Sequence, residues 1–218
     1  MTDVAIIGGG IVGMTTALAL SKITNAKVVL LDDKKSAFTD LQHPITIREQ
    51  HKKLFKKIGI WSSIKDEIVA IKKLNISQKK YFGSITIDAD KYNHEAIAIS
   101  MPYATLYNAL AKQVKDIVQN NIHIDMIESL HQNTCSITLK RSVMQAKRVI
   151  IADGAKAILS KKMGWTASTY GPTFFSVLHP ITTDKWPAAY AGQRFTSSYS
   201  YGLIPHINTK RGWIIITM

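Results

Sequence analysis

The apolar positions near the N-terminus predict a strand, a glycine-rich turn, a helix and a second strand. Residues 3–7 and 27–31 are short apolar runs, and residues 14–21 have the composition of a buried helix. Short apolar runs bounded by turn residues are typical of strands covered on both faces, as in parallel sheets. The chain is therefore predicted to begin with the first unit of an α/β fold.

The middle of the chain alternates between further helices and strands. Residues 45–58 are predicted to be helical, with Leu54, Phe55 and Ile58 on the apolar face and lysines opposite, and Gly59 ends this helix. A second helix is predicted from Pro102 through roughly Val118. Strands are predicted within residues 69–100, at 122–126, in a hairpin about Arg141 and Ser142, and at 148–151, the last being a third buried strand followed by a helix.

From Trp165 onward, aromatic, β-branched and proline residues dominate, which predicts an antiparallel β region. We therefore predict two domains, a discontinuous Rossmann-like α/β domain over 1–72 and 101–164 and an antiparallel β region over 73–100 and 165–218.

Composition narrows the class of protein. The chain has 218 residues, a formal net charge of +13 and one cysteine, Cys135. The charge suggests an anionic partner such as nucleic acid, a membrane surface or a phosphate-bearing ligand. One cysteine excludes an internal disulfide framework, and no apolar run reaches the roughly 18 residues of a membrane span. We expect a cytoplasmic protein with Cys135 as a buried structural thiol.

The turn after the first strand carries the sequence Gly-x-Gly-x-x-Gly, formed by Gly8, Gly10 and Gly13. The first glycine permits the tight turn, the second lets backbone approach a pyrophosphate, and the third lets helix and strand pack closely. Asp32 ends the second strand 19 residues beyond Gly13, near the spacing of an acid that binds a ribose hydroxyl. An acid at this position favours FAD or NAD over NADP.

Further candidate cofactor-binding residues are Gly9 and Val12 in the same turn, and Asp153 and Gly154 after the third strand. Asp153 and Gly154 are included because ligands bind at the carboxyl ends of parallel strands. The seven histidines are scattered, and none has metal-ligand spacing with Cys135 or a carboxylate cluster. We assign no metal ligand and no catalytic acid or base.

These residues resemble the ubiquinone-biosynthesis hydroxylases, a branch of the FAD-dependent aromatic monooxygenases with the p-hydroxybenzoate hydroxylase fold. The resemblance covers nearly the whole chain. It rests on the segments 3–32, 54–61 and 152–156, on Tyr170-Gly171, Gln193-Arg194-Phe195 and Gly202-Leu203-Ile204-Pro205, and on 213–217. It implies an enzyme that uses FAD, NAD(P)H and O2 to hydroxylate a polyprenylated phenol. It further implies that 1–72 and 101–164 form the FAD-binding domain, and that 73–100 and 165–218 form a partial, incomplete substrate region. It also implies that Gly8, Gly10 and Gly13 hold the pyrophosphate, Asp32 the ribose, and Asp153 and Gly154 the pyrophosphate region.

The sequence departs from this family at several positions. His43 stands where the family has an arginine near the flavin, and Ala157 and Ser160 replace a serine and an arginine of the second motif. The family's third FAD motif, a Gly-Asp pair, is absent before Met218. The chain is therefore expected to be truncated, and a second chain that completes the fold is an expected partner. An inactive truncated or split remnant, or a basic nucleotide-fold binding module, remain alternatives.

The basic residues fall on several separate helices and turns rather than on one face with interleaved aromatics, so no nucleic-acid partner is predicted. Lys52, Lys53, Lys56 and Lys57 form either a solvated helix face or a contact with anionic lipid. The expected substrate is an aromatic molecule with a lipid tail. We therefore expect a cytoplasmic protein in peripheral contact with the inner membrane.

Overall fold

A computed structural model describes residues 2–33, 39–130, 134–140, 142–155, 157–165, 174–184, 186–187, 189–208 and 210–218. The chain divides into two compact units. The first contains Met1–Asp40, Leu54–Trp61 and Leu106–Thr169, and the second contains Leu41–Lys53, Ser62–Thr105 and Tyr170–Met218. Residues 41–53 and 62–72 thus pack with the second unit. Which residues form the FAD-binding domain stays a prediction, since compactness does not identify a ligand.

The helices and strands of the described residues are as follows. The helices are α1 (Ile11–Ile23), α2 (His51–Lys57), α3 (Trp61–Ile64), α4 (Tyr103–Gln113) and α5 (Ile158–Lys162). The strands are β1 (Thr2–Ile7), β2 (Val28–Leu31), β3 (Pro44–Arg48), β4 (Val69–Ile71), β5 (Lys73–Gln78), β6 (Ser84–Asp88), β7 (Ala98–Pro102), β8 (Val118–Gln119), β9 (Ile124–Leu130), β10 (Thr134–Leu139), β11 (Ser142–Ile151), β12 (Ser176–Thr182), β13 (Tyr190–Phe195), β14 (Ser200–Pro205) and β15 (Arg211–Thr217).

The first unit is built on a six-stranded sheet with the order β8-β2-β1-β11-β10-β9. The four strands from β8 to β11 are parallel, and β10 and β9 continue the sheet antiparallel. Helix α1 buries Met14, Ala17 and Leu18 and contacts β1 and β2. This confirms the predicted α/β class and the strand–turn–helix–strand unit.

Strand β11 differs from the predicted arrangement. The pattern predicts a hairpin strand that ends near Lys147 and a separate buried strand over 148–151. One continuous strand instead pairs with β10 over its first half and with β1 through Ile151. Its side chains are largely exposed or half-buried, Ile150 among them, because a strand that bridges hairpin and parallel sheet is not covered along both faces. Cys135, opposite Ala146, is likewise half-buried rather than fully buried.

The second unit contains two sheets. A six-stranded sheet has the order β12-β15-β14-β13-β5-β6, antiparallel except for the parallel pair β13 and β5. A three-stranded antiparallel sheet has the order β3-β7-β4. The predicted antiparallel β region after Trp165 is confirmed for the described residues. Tyr170-Gly171 lies outside them.

Two predicted helix boundaries are wrong. Residues 45–48 form strand β3 rather than the first turn of a helix, because Ile45 and Ile47 pair with Met101 and Ile99 of β7. Alternating β-branched residues fit a pleated sheet as well as a helix face, and the partner strand decides between them. The helix that follows Pro102 ends at Gln113, and Val118 belongs to β8. Leu106 and Leu110 of this helix, and Val114 directly after it, are buried.

Gly59 ends α2 as predicted. Its φ is +80°, its N–H donates to the Lys56 carbonyl at 3.1 Å, and the Ile60 N–H donates to the Phe55 carbonyl at 3.0 Å. This pair of hydrogen bonds is the Schellman motif, in which the residue after the helix is left-handed. Phe55, Ile58 and Ile60 are buried around it. The turn therefore fixes where three apolar side chains enter the core.

The substitution Gly59→Ala should destabilise the protein by about 1 kcal/mol, because an L-residue is strained at this φ. Urea unfolding followed by circular dichroism measures the change. Lys57→Ala, on the exposed side of the same helix, is the control and should shift the unfolding midpoint little. Equal stability of the Gly59→Ala variant and the unchanged protein would contradict this account of the helix end.

Candidate functional site

The glycine turn packs three backbone segments against one another. Gly8 has φ +109°, and its N–H donates to the Leu31 carbonyl at 2.8 Å. A Cβ on Gly8 would overlap the Ala152 carbonyl, and a Cβ on Gly13 would overlap the Gly8 carbonyl oxygen. These two glycines are therefore required for the packing of β1 against α1 and β11 whether or not a ligand is bound.

Gly10 has a different environment. It is the N-cap of α1 with an extended backbone at φ −75° and no side-chain cap, and a Cβ built on it would meet no atom within 4 Å. The first helical hydrogen bond runs from the Met14 N–H to the Gly10 carbonyl at 2.9 Å. The N–H groups of Ile11, Val12 and Gly13 precede it and are available to an anion, aided by the helix dipole. Val12 itself is exposed, as its place in the first turn requires.

Asp32 is the buried acid of the site. It follows β2, is 7% exposed, and its backbone is held by hydrogen bonds to Gln119 and from Ile122. Its carboxylate lies against Gly9, where a Cβ would overlap Oδ2. Within the described part of the chain, no group donates a hydrogen bond to that carboxylate. Although the residue as a whole is buried, its carboxylate borders an open cleft and can therefore accept hydrogen bonds from the hydroxyl groups of a ligand.

A cleft of about 140 Å³ opens beside Asp32. Gly9 and Asp32 form one side of it, and residues from α1, β2, α4 and the segment after α4 form the rest, namely Met14, Leu30, Tyr107, Ala111, Val114, Lys115, Val118 and Asn120. Four of these residues, Tyr107, Ala111, Lys115 and Asn120, are not among the site residues predicted from the sequence. Two signals in the sequence point to these residues. Tyr107 and Ala111 are four residues apart on one helix, and Asn120 directly follows β8.

Asp153 and Gly154 lie at the carboxyl end of β11, as predicted. A Cβ on Gly8 would be 3.2 Å from the Asp153 nitrogen, so the turn after β11 is adjacent to the glycine turn. The Asp153 carboxylate accepts hydrogen bonds from the N–H groups of Leu159 at 2.9 Å and Ser160 at 3.3 Å. Its side chain thereby caps α5. Gly154 has φ +75° and open space where a Cβ would stand, which suits a close backbone approach.

The second unit has an apolar cavity of its own, with a volume of about 240 Å³. Leu74, Ile204 and Ile215 supply apolar walls, and Gln193 supplies an amide. Gly202 faces Gln193 across the strand pair, and a Cβ on Gly202 would be 3.0 Å from Gln193 Oε1. The absence of a side chain at Gly202 thus gives the Gln193 amide its position at the cavity wall.

His43 also belongs to the second unit. Its ring stacks on Tyr103 at a centroid distance of 4.8 Å, and its carbonyl accepts the Tyr103 N–H at 2.8 Å. Partial burial raises the pKa of Tyr103 above its usual value. His43 therefore has a defined structural contact at the position where the resembling family carries an arginine. Among the described residues, no cluster of His, Cys, Asp or Glu could hold a metal ion.

Comparison with known proteins supports an FAD site at the glycine turn. Residues 3–39 match the family described as FAD dependent oxidoreductase. An uncharacterised protein of Synechocystis sp., slr1300, is 24% identical over 225 aligned residues, which cover 99% of this chain and 54% of that protein. The chain thus spans about half the length of this relative.

Solved structures share the fold. A flavoprotein/dehydrogenase from Cytophaga hutchinsonii has a TM-score of 0.76 and 13% identity, covering 99% of this chain and 55% of that one. The 2-methyl-3-hydroxypyridine-5-carboxylic acid oxygenase has a TM-score of 0.77 and 12% identity, and the match covers 100% of this chain and 58% of that one. An HpxO variant from Klebsiella pneumoniae in complex with FAD has a TM-score of 0.76 and 12% identity, and the match covers 100% of this chain and 57% of that one. The chain shares the fold of these three proteins over nearly its whole length. No helix in the described segments is long and apolar enough to cross a membrane.

The residues of the first unit fit the ADP half of FAD. The open backbone at Gly10 and the exposed N–H groups of α1 suit the pyrophosphate, and the Asp32 carboxylate suits the ribose hydroxyls. The cleft beside Asp32 leaves space next to that carboxylate. The fit rests on an acid that has no donor among the described residues and on an open turn, and both observations are independent of any relative.

Two glycine substitutions should separate ligand binding from folding. Gly10→Ala is allowed by φ −75° and open space, so the variant should fold but bind FAD at least about tenfold more weakly, because a Cβ would stand where the pyrophosphate approaches. Gly13→Ala overlaps the Gly8 carbonyl and should instead lower stability by about 1–3 kcal/mol. FAD fluorescence titration and urea unfolding measure the two effects. Unchanged FAD affinity in the folded Gly10→Ala variant would refute the assigned role of Gly10.

Asp32→Asn should weaken FAD binding about tenfold or more, because hydrogen bonds from ribose hydroxyls to a charged acceptor become bonds to a neutral amide. The unliganded variant should be about as stable as the unchanged protein, since no group among the described residues donates a hydrogen bond to the carboxylate. Asp33→Asn is the matched control, as Asp33 is exposed. Equal loss of affinity in both variants would show that the effect is general charge rather than contact with Asp32.

Proposed function

We propose that the chain is an FAD-dependent monooxygenase that hydroxylates the aromatic ring of a polyprenylated phenol in ubiquinone biosynthesis, with NAD(P)H as reductant and O2 as oxidant. The Asp32 carboxylate, which has no donor among the described residues and lies beside the open glycine turn, supports the assignment of the cofactor. The match of residues 3–39 to FAD dependent oxidoreductases and the shared fold support it. The assignment of the substrate comes from the family resemblance.

The protein's part in the reaction is to bind and to position. Bound FAD would supply the exchange of electrons with NAD(P)H and the activation of O2. The N–H groups at the start of α1 would hold the pyrophosphate, and Asp32 would fix the ribose. These contacts would anchor the cofactor by the end remote from the chemistry, and they need no proton transfer from Asp32.

The cavity of the second unit supports an aromatic, largely apolar substrate. Its walls are mostly aliphatic, with the Gln193 amide and the hydroxyls of Thr46 and Thr217 as polar groups. Apolar pockets with a few polar groups bind rings by area and orient them by hydrogen bonds. The Gln193 amide would accept from or donate to a ring hydroxyl, and Gly202 keeps space for that amide.

Purified chain mixed with FAD should oxidise NADH or NADPH faster when a polyprenylated phenol is added, and the product should carry one oxygen atom from labelled O2. Stoichiometric FAD binding without any turnover would support the alternative of an inactive remnant. Failure to bind FAD, together with tight and steeply salt-dependent binding of an acidic polymer, would support the basic binding module.

The Gln193→Leu substitution tests the assigned cavity. It should lower kcat/KM for the phenol about tenfold by removing one hydrogen bond to the ring, and it should leave FAD affinity unchanged. Gln78→Leu, at the exposed end of the neighbouring strand β5, is the matched control. Equal kcat/KM for Gln193→Leu and the unchanged protein would exclude Gln193 from the substrate contact.

A further inference from the structure

One end of the six-stranded sheet in the second unit carries a concentration of exposed aromatic side chains. Strand register brings together the turn between β5 and β6, the turn between β13 and β14, and the start of β12. The Lys79 N–H donates to the Phe195 carbonyl at 2.8 Å, which joins the first two of these directly. We call this region the aromatic end, defined by Tyr81, Phe82, Phe195, Tyr199, Phe174 and Phe175.

The aromatic end is unusually apolar for a set of turns. Phe82 is fully exposed, and Tyr81 and Phe175 are each 70% exposed. Ile85, on the edge strand β6, is 66% exposed. Single exposed apolar residues are common, but several exposed aromatic rings at one end of a sheet indicate an interaction surface. Tyr81, Phe82 and Tyr199 lie in the turns between strands, which suits insertion of their rings into a bilayer surface.

The charges of the same region have one sign. The segments 76–87, 174–178, 193–201 and 215–218 contain no Asp or Glu, and they contain Lys79, Lys80 and Arg194. The opposite end of the sheet is mixed, with ion pairs Lys73–Asp88 and Lys72–Asp90, both at 3.4 Å. The aromatic rings are therefore exposed next to basic side chains with no acidic residue in the same segments.

We propose that the aromatic end docks this protein on the surface of a bilayer that contains anionic lipids. Aromatic rings prefer the boundary between headgroups and acyl chains, and lysines beside them reach anionic headgroups while their stems stay in apolar surroundings. This surface differs from the lysine face of α2. Docking would depend on the exposed rings and the charge of the aromatic end, so it can be tested without measuring flavin activity.

The aromatic end and the apolar cavity are formed in part by the same strands. On β13, Gln193 lines the cavity and Phe195 belongs to the aromatic end. On β6, Ile85 and Ile87 pair with Ile76 and Leu74, and Leu74 lines the cavity. An apolar strip therefore runs along the sheet from the aromatic end to the cavity, which suits a ligand that remains dissolved in the bilayer by its tail.

Vesicle co-sedimentation of the full chain tests the proposal. The chain should sediment with vesicles of phosphatidylcholine and phosphatidylglycerol in equal parts, and much less with phosphatidylcholine alone. Phe82→Ser should weaken binding about tenfold or more, because a fully exposed ring loses its insertion but supports no fold contact. Tyr92→Ser is the matched control, since Tyr92 is 67% exposed after the other end of β6.

Reversal of the lysine charges is a second, independent test of vesicle binding. Lys79→Glu with Lys80→Glu should abolish binding to the anionic vesicles, whereas Lys56→Glu with Lys57→Glu on α2 should leave it nearly unchanged. Circular dichroism confirms that each variant is folded. Loss of binding only in the α2 variant would overturn the proposal in favour of the α2 face. A dimer that Phe82→Ser dissociates, without vesicle binding by the unchanged chain, would overturn it in favour of self-association.

Discussion

The fold of the first unit depends on how closely three backbone segments approach at the end of β1. The Gly8 carbonyl occupies the space that a side chain at Gly13 would need, and the Ala152 carbonyl occupies the space of a side chain at Gly8. Because both positions lack a Cβ, α1 starts directly at the carboxyl end of the parallel strands. The exposed N–H groups of the helix, Asp32 and the turn after β11 are thereby brought to one edge of the sheet.

Because of this close packing, the neighbouring glycines have different structural roles. Gly8 and Gly13 serve the packing of the protein, Gly9 makes room for the Asp32 carboxylate, and Gly10 alone borders open space. The second unit repeats the principle on a β-sheet, where Gly202 makes room for the Gln193 amide. In both units a missing side chain fixes the position of a polar group, and that polar group faces a cleft or a cavity.

Local sequence predicted the parts that are governed by local constraints. The glycine spacing, the acid after β2 and the left-handed Gly59 were readable because each requires a particular residue type at one place. Strand β3 was not predicted, because Ile45 and Ile47 fit a helical and an extended pattern equally well. The partner strand that decides between them, β7, lies about 50 residues further along the chain. The cleft residues Tyr107 and Asn120 were missed for the same reason, because the order of strands in space, rather than in sequence, brings them to Asp32.

The Asp153 carboxylate illustrates a further limit of motif reading. An acid at a strand end predicts a ligand contact, but two backbone N–H groups of α5 lie within reach and take its hydrogen bonds. Asp32 has the same chemistry and no such donor in the described residues. The difference between a structural acid and a candidate ligand-binding acid is therefore set by the donors around it, which appear only in three dimensions.

Hydrogen–deuterium exchange of the chain with and without FAD tests the central claim most directly. The account predicts slower exchange on addition of FAD at the amides of residues 9–14, where the pyrophosphate would bind, and at residues 118–122 beside Asp32. Exchange that is unchanged in both segments at saturating FAD, or slowed only in the second unit, would contradict it.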